Sequence, residues 1–257
     1  MKEDILTKIP DIDYSEVAPE IDCKEFDKVI TSRRSVRVYT EEKVPEEVMK
    51  KTLHHATLAP NSSNLQSWKF VWVKSKEAKK KCVRACLGQS AARTASELII
   101  VLADTKGWKN IQPQMLEKLK ADDAPRGAIS YYKSIVPLAY GQGPLGIKGL
   151  IKKFVIFFRG FSKPTPRGPT SQNDMKVWAN KTAALACENI MLSLRAQGYD
   201  SCPMEGFDEK LILDLVRESQ PTDGLSVCMV ISAGKRASNG IYGPQIRMDS
   251  TQFITEI

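Results

Sequence analysis

Leu98-Ile99-Ile100-Val101-Leu102-Ala103-Asp104 is six apolar residues in a row, closed by a carboxylate. A run that short, rich in β-branched side chains, reads as a buried strand and not as a helix. Upstream, residues 76–96 read as helical and Lys69–Lys74 as a second strand. Further back, Pro45 opens a helix over 45–59 that Pro60 ends, and residues 24–33 form a short helix with Phe26, Val29 and Ile30 at helical spacing. Downstream, residues 112–133 look helical despite Pro125 and Gly127. Asp174–Gln197 is the strongest helix, with Asp174 at its start and Gly198 as a C-cap. Residues 208–219 form another, Leu225–Ala233 is a third apolar strand, and Thr251–Ile257 suits a short edge strand. Helices and strands intermix without repeats, so residues 1–257 are expected to form one α/β-type domain.

The composition excludes several classes. With 42% hydrophobic and 26% charged residues, wholesale disorder is excluded. No apolar run is long enough for a membrane-spanning helix. The formal charge is +8. No Asp or Glu occurs from Ala124 to Asn173, a window that holds Arg126, Lys133, Lys148, Lys152, Lys153, Arg159, Lys163 and Arg167. Those eight residues account for the whole surplus, so the remainder is neutral. A local device is implied in place of general nucleic-acid affinity. The six cysteines form no Cys-x-x-Cys pair, and the Met-Lys-Glu-Asp-Ile start has no apolar core for a signal peptide, so a reducing, cytoplasmic setting is expected. The only histidines, His54 and His55, are adjacent and unsuited as joint metal ligands on a helix, so no metal is expected. Gly141-Gln142-Gly143-Pro144-Leu145-Gly146 fits G-x-G-x-x-G but lacks the preceding strand and the acid that a dinucleotide fold needs, and reads as a loop. Cys82 and Cys86 read as buried thiols in place of metal ligands.

Four segments carry candidate chemistry. Ser32-Arg33-Arg34-Ser35-Val36-Arg37-Val38-Tyr39 puts three guanidiniums and two serine hydroxyls just past a helix. If extended, it sends residues 33, 35 and 37 to one side, where they could meet a phosphate; the other reading is a solvated basic turn. Ala59-Pro60-Asn61-Ser62-Ser63-Asn64-Leu65-Gln66-Ser67-Trp68 offers amides and hydroxyls for the polar edge of a heterocycle or a polyol, or else is an ordinary capping turn. Ser201–Asp208 reads as a turn, fixed by Pro203 and Gly206, whose amides could face a ligand. Gly240–Arg247 adds another arginine in a loop.

In order and spacing these segments resemble the FMN-dependent nitroreductase family. Arg33-Arg34-Ser35-Val36-Arg37 is similar to the family's R-R-S-x-R, and Ala59-Pro60 through Asn64, Gln66, Trp68 and Phe70 to A-P-S-x-x-N-x-Q-x-W-x-F. Residues 178–208 resemble the family's long helix and its P-x-E-G-F-D loop, and Arg247 matches a C-terminal phosphate-contacting arginine. The resemblance implies an α+β, three-layer α/β/α fold with a mixed, mainly antiparallel sheet. It implies an obligate, domain-swapped homodimer with FMN at the interface and NAD(P)H as the electron donor. Arg33 and Arg247 would pair with the phosphate, with Arg34 beside them. Ser35 would meet the ribityl–phosphate region and Arg37 the pyrimidine end of the flavin. Pro60, Asn61, Ser62, Asn64 and Gln66 would come from the other subunit. Pro203, Met204, Glu205 and Gly206 would lie along the flavin N5 side. The implied reaction is ping-pong hydride transfer to nitroaromatics, quinones or related small acceptors, with no catalytic side chain. Cys202 reads as a packed thiol.

The pattern also departs from the family's. The second-position serine is Asn61, residues 88–94 offer only Arg93 where some members have a lysine, and Gln245 stands where some have another. The alternatives are a flavin or enone reductase or a dehalogenase of the same superfamily, a flavin binder without turnover, or a basic anion- or nucleic-acid-binding protein. The basic window, about 124–173, lies where the family inserts variable helices. On a helical wheel of residues 145–161, Leu150, Ile151, Phe154, Val155, Phe157, Phe158 and Phe161 share an arc with Ile147, and Ile156 falls outside it. Residues 145–163 therefore suit a lid that attracts NAD(P)H, a packed helix, or a weak membrane-surface contact.

Overall fold

The computed structural model describes residues 15–257; the Met1–Ile5 start lies outside them. Strands β1 (Trp68–Val73), β2 (Glu97–Asp104), β3 (Asp200–Met204) and β4 (Leu225–Gly234) form a sheet in the order β1-β2-β4-β3. All three strand pairings are antiparallel. A single parallel bridge, Ser35 to Ser201, adds the mixed element at the β3 edge. The helices are α1 (Cys23–Ser32), α2 (Glu46–Thr57), α3 (Lys76–Ala85), α4 (Ser90–Thr94), α5 (Trp108–Ala121), α6 (Arg126–Ser130), α7 (Val136–Tyr140), α8 (Ile147–Arg159), α9 (Gln172–Ala196) and α10 (Glu209–Arg217).

Strand side chains alternate between faces, and β2 uses both. Ile99, Val101 and Ala103 pack with Met49 and Ala56 of α2 and Ala183, Ala186 and Ile190 of α9. Leu98, Ile100 and Leu102 pack with Cys82 and Ala85 of α3 and Ile212 and Val216 of α10. The result is the three-layer α/β/α arrangement. Ser171 caps α9 in a reciprocal box with Asp174: Asp174 N–H donates to Ser171 Oγ at 3.1 Å and Ser171 N–H to Asp174 Oδ2 at 3.0 Å.

Four expectations are corrected. The helical stretch 76–96 is two helices, because Leu87 and Gly88 take positive φ of 58° and 68°. There Gly88 N–H donates back to Val83 O at 3.0 Å, closing α3. The 112–133 helix starts earlier and breaks: Asp104 Oδ1 accepts from Gly107 N–H at 2.7 Å ahead of α5, and after Ala121 the chain continues as α6, a π-helical turn at Tyr131–Ile135 and α7. Ser201–Asp208 is not all turn, since Asp200–Met204 pairs with β4. Pro203 is tolerated because β3 is at the sheet edge and residues alternate. Ser201, two positions earlier, turns its carbonyl outward to Val36 N–H at 3.1 Å, and Pro203 shares that orientation. Thr251–Ile257 is not a strand: Asp249 Oδ1 accepts from Thr251 N–H at 2.9 Å and starts a single 3₁₀ turn, Ser250–Gln252.

Ile100 is fully buried at the centre of the sheet. Ile100→Ala should lower stability by about 2–5 kcal/mol, read as a fall in the urea midpoint at unchanged slope.

Candidate functional site

The Arg33–Tyr39 segment is extended because it is clamped on both sides. On one side lies the β3 edge, through the Ser35–Ser201 bridge. On the other lies the chain after β4: Arg37 N–H donates to Gly240 O at 2.8 Å and Thr40 N–H to Lys235 O at 2.8 Å. Val36 is fully buried between them. Gly240 is required by close approach, since a Cβ there would stand 2.6 Å from Val38 O. The end of α1, which delivers Arg33, is held by Arg195, whose Nε donates to Ser32 Oγ at 3.0 Å. Arg195 and Arg236 both bind the buried Asp200, at 3.1 Å and 3.0 Å.

This clamp builds a pocket of about 210 Å³ lined by Arg33, Arg34, Ser35 and Arg37 on one wall and residues 241–247 on the other. Four guanidiniums border it, Arg247 included, and no Asp or Glu does. Arg33 N–H closes α1 on Val29 O at 3.1 Å, but its guanidinium makes no hydrogen bond or ion pair to any described residue, so its fork of donors is uncommitted. Arg34 Nη2 donates to Gly243 O at 2.6 Å and ties the two walls together. Arg247 Nη1 donates to Ile246 O at 2.7 Å, and the Arg37 guanidinium lies 5.4 Å from the centre of the Tyr242 ring. Uncompensated positive charge in so small a space fits a phosphate and its immediate linker, so these residues suit the phosphate end of FMN. Burial pushes the Cys202 thiol above its usual range, against the opposing pull of Arg37 and Arg33.

The other expected site residues are not in this pocket. Met204 is buried with the α3 and α10 side of the core, and Pro203 is half-buried. Glu205 and Gly206 are exposed. A polar chain links their loop to the pocket: Gln89 Nε2 donates to Gly206 O at 2.6 Å, and the neighbouring Ser90 Oγ lies 3.0 Å from Tyr242 Oη. Sequence reasoning missed Gln89 and Ser90 and their link to Tyr242, because no motif joins residues so far apart. Arg93 is exposed and does not line the pocket.

Pro60, Asn61, Ser62, Asn64 and Gln66 lie in the connection from α2 to β1, so they enter the sheet at the edge opposite β3. One chain therefore does not bring them to Arg33. Ser63, Asn64 and Gln66 hold positive φ of 56°, 47° and 47°, and strain of that kind persists only where surroundings over-determine it. Asn61 Oδ1 accepts from Gln66 N–H at 2.8 Å. Ser63 Oγ lies 2.6 Å from Tyr131 Oη and 3.0 Å from Tyr140 Oη, while Tyr132 Oη donates to Ser63 O at 2.8 Å. The start of the basic window thus buttresses the asparagine-rich loop, a link the sequence does not reveal.

A three-layer α/β/α fold with an acid-free arginine pocket at a sheet edge defines an α+β protein with a site suited to an anion. The chain belongs to the nitroreductase family, whose model matches residues 30–235. It is 28% identical over 237 residues to YdgI of Bacillus subtilis, which carries a provisional NAD(P)H nitroreductase name; the match covers 90% of this chain and 97% of that one. Its fold is that of the solved structure of ydfN from Bacillus subtilis, with TM-score 0.71, 23% identity and coverage of 92% of this chain and 100% of that one. A structure from Exiguobacterium sibiricum, solved in complex with FMN, has TM-score 0.65 at 23% identity, covering 95% of this chain and 100% of that one.

Because burial keeps Cys202 protonated, iodoacetamide at pH 8 should label the exposed Cys23 first and reach Cys202 only after unfolding. Peptide mapping by mass spectrometry reads this order.

Proposed function

We propose that the chain is an FMN-dependent oxidoreductase that draws hydride from NAD(P)H and delivers it to nitroaromatic, quinone or related small acceptors. The observation that carries this reading is the pocket with four arginines and no carboxylate. Family membership, the name carried by YdgI and the FMN bound in the Exiguobacterium relative support it. FMN, when bound, supplies the hydride chemistry. Arg33 and Arg247 hold its phosphate, with Arg34 fixing the wall behind them. Ser35 offers a hydroxyl to the ribityl–phosphate region. Arg37 carries positive charge toward the pyrimidine end, where reduction builds negative charge. The amides of Glu205 and Gly206 would lie toward the N5 side, and no side chain of this chain is assigned a proton to move.

The complete site requires a homodimer, since Pro60, Asn61, Ser62, Asn64 and Gln66 belong to the opposite sheet edge and come from the partner. Exposed apolar residues support such pairing. Val177 and Leu185 are exposed on α9, and Ile246, Met248, Phe253, Ile254 and Ile257 on the C-terminal tail. The six cysteines are free, which suits the cytoplasm.

The purified protein should be yellow and bleach anaerobically with NAD(P)H; colourless protein that takes up no added FMN sinks the proposal, and colour without bleaching favours a binder without turnover. Arg33→Ala should weaken FMN retention about 10- to 100-fold through loss of a charge-assisted contact, while Arg93→Ala leaves it unchanged. Fluorescence titration of the apoprotein with FMN measures both.

A further inference from the structure

Helix α8 is mounted inside out. Its residues facing the protein are Gly149, Lys152 and Ile156, which fall together at about 140–200° on the wheel when Ile147 is at 0°. Gly149 is buried against the start of α9, where a Cβ would stand 2.1 Å from Thr170 O. Lys152 Nζ donates to Ala139 O at 2.9 Å and to Pro169 O at 2.8 Å, and burial lowers its pKa. Ile156, the one large apolar residue of α8 outside the arc, is half-buried on this inner face. The whole apolar arc points the other way. Ile147, Leu150, Ile151, Phe154, Phe158 and Phe161 are each between 53% and 75% exposed. An amphipathic helix that served only the fold would turn this face inward. Lys152, tied to two backbone carbonyls, is not free to draw a substrate phosphate, which removes one leg of the lid reading.

The charge around the arc names the occupant. Lys148, Lys153, Arg159, Lys163 and Arg167 are all exposed, and no acid lies between residues 124 and 173. A second copy docked α8 to α8 would bring these cations against their own equivalents. An apolar arc bordered only by cations is complementary to a layer that is apolar inside and anionic at its surface. No helix among the described residues is long and apolar enough to cross a membrane, so the contact is at the surface.

We infer that α8 docks this protein on anionic lipid, with the phenylalanine arc entering the acyl boundary and the flanking lysines and arginines at the headgroups. The inference does not depend on the flavin reading, because its readout is the partition of protein and not its colour. The test is co-sedimentation of the purified full chain with vesicles of phosphatidylcholine containing phosphatidylglycerol, against pure phosphatidylcholine, at low and raised salt. Binding should need phosphatidylglycerol and weaken with salt. Phe154→Glu with Phe158→Glu, both fully on the exposed face, should weaken it by about tenfold or more, and Lys153→Glu with Arg159→Glu similarly. Phe158→Trp should show a blue-shifted emission on adding those vesicles. No binding at low salt, equal binding to both vesicle types, or undiminished binding of F154E/F158E overturns the inference. So does wild-type protein that leaves vesicles unbound yet forms a larger oligomer than F154E/F158E by light scattering, a result that assigns the face to a second copy.

Discussion

Burial of β2 on both faces is the constraint on which the rest of the structure depends. A strand with Leu98, Ile100 and Leu102 on one side and Ile99, Val101 and Ala103 on the other cannot sit at a solvated face. It must have strands on both sides and helices above and below. That requirement places β1 and β4 beside it, α2 and α9 on one face, and α3 and α10 on the other. Once β4 is fixed, β3 becomes an edge, and an edge leaves outward-facing backbone groups to satisfy. The Arg33–Tyr39 segment satisfies part of them and is held extended as a result. The arginine pocket is therefore a product of how the sheet ends.

Electrostatics divides the molecule into two basic regions with different work. In the pocket, four arginines converge without a carboxylate, an arrangement suited to a small anion. Their neighbours Arg195 and Arg236 are both tied to the one carboxylate of Asp200 and serve position, not binding. The residues from 124 to 173 carry the surplus charge, and they have two roles. Tyr131, Tyr132 and Tyr140 brace Ser63 and hold the asparagine-rich loop in a strained shape. Beyond them, α8 turns cations and aromatics outward together.

Much of the fold was legible in the sequence. The three apolar strands and the long helix announce themselves by period and length, and so does the arginine segment by density. β3 was hidden because Asp200-Ser201-Cys202-Pro203-Met204 has a proline and no alternation; only its partner β4 makes it a strand. The break at Leu87-Gly88 was hidden because helical propensity on both sides masks one unfavourable step. Among the candidate site residues, Arg33, Ser35, Arg37 and Arg247 line one pocket. The link from Gly206 through Gln89 and Ser90 to Tyr242 was invisible, because contacts between residues so far apart in sequence leave no spacing to read.

By itself the sequence determined which residues are apolar, where the charge lies, and that helix 147–159 has two unlike faces. It determined also that a cluster of arginines follows the first helix. Tertiary structure alone decided which way each face points. Amphipathicity is symmetric to inversion: the same wheel can bury its phenylalanines or present them. Here the contact of Gly149 with Thr170 and the two carbonyls waiting for Lys152 chose the second orientation. The tertiary fold likewise decided that Asn61 and Arg33 stand at opposite edges of one sheet, because strand order depends on which edges remain unpaired and no local pattern records it.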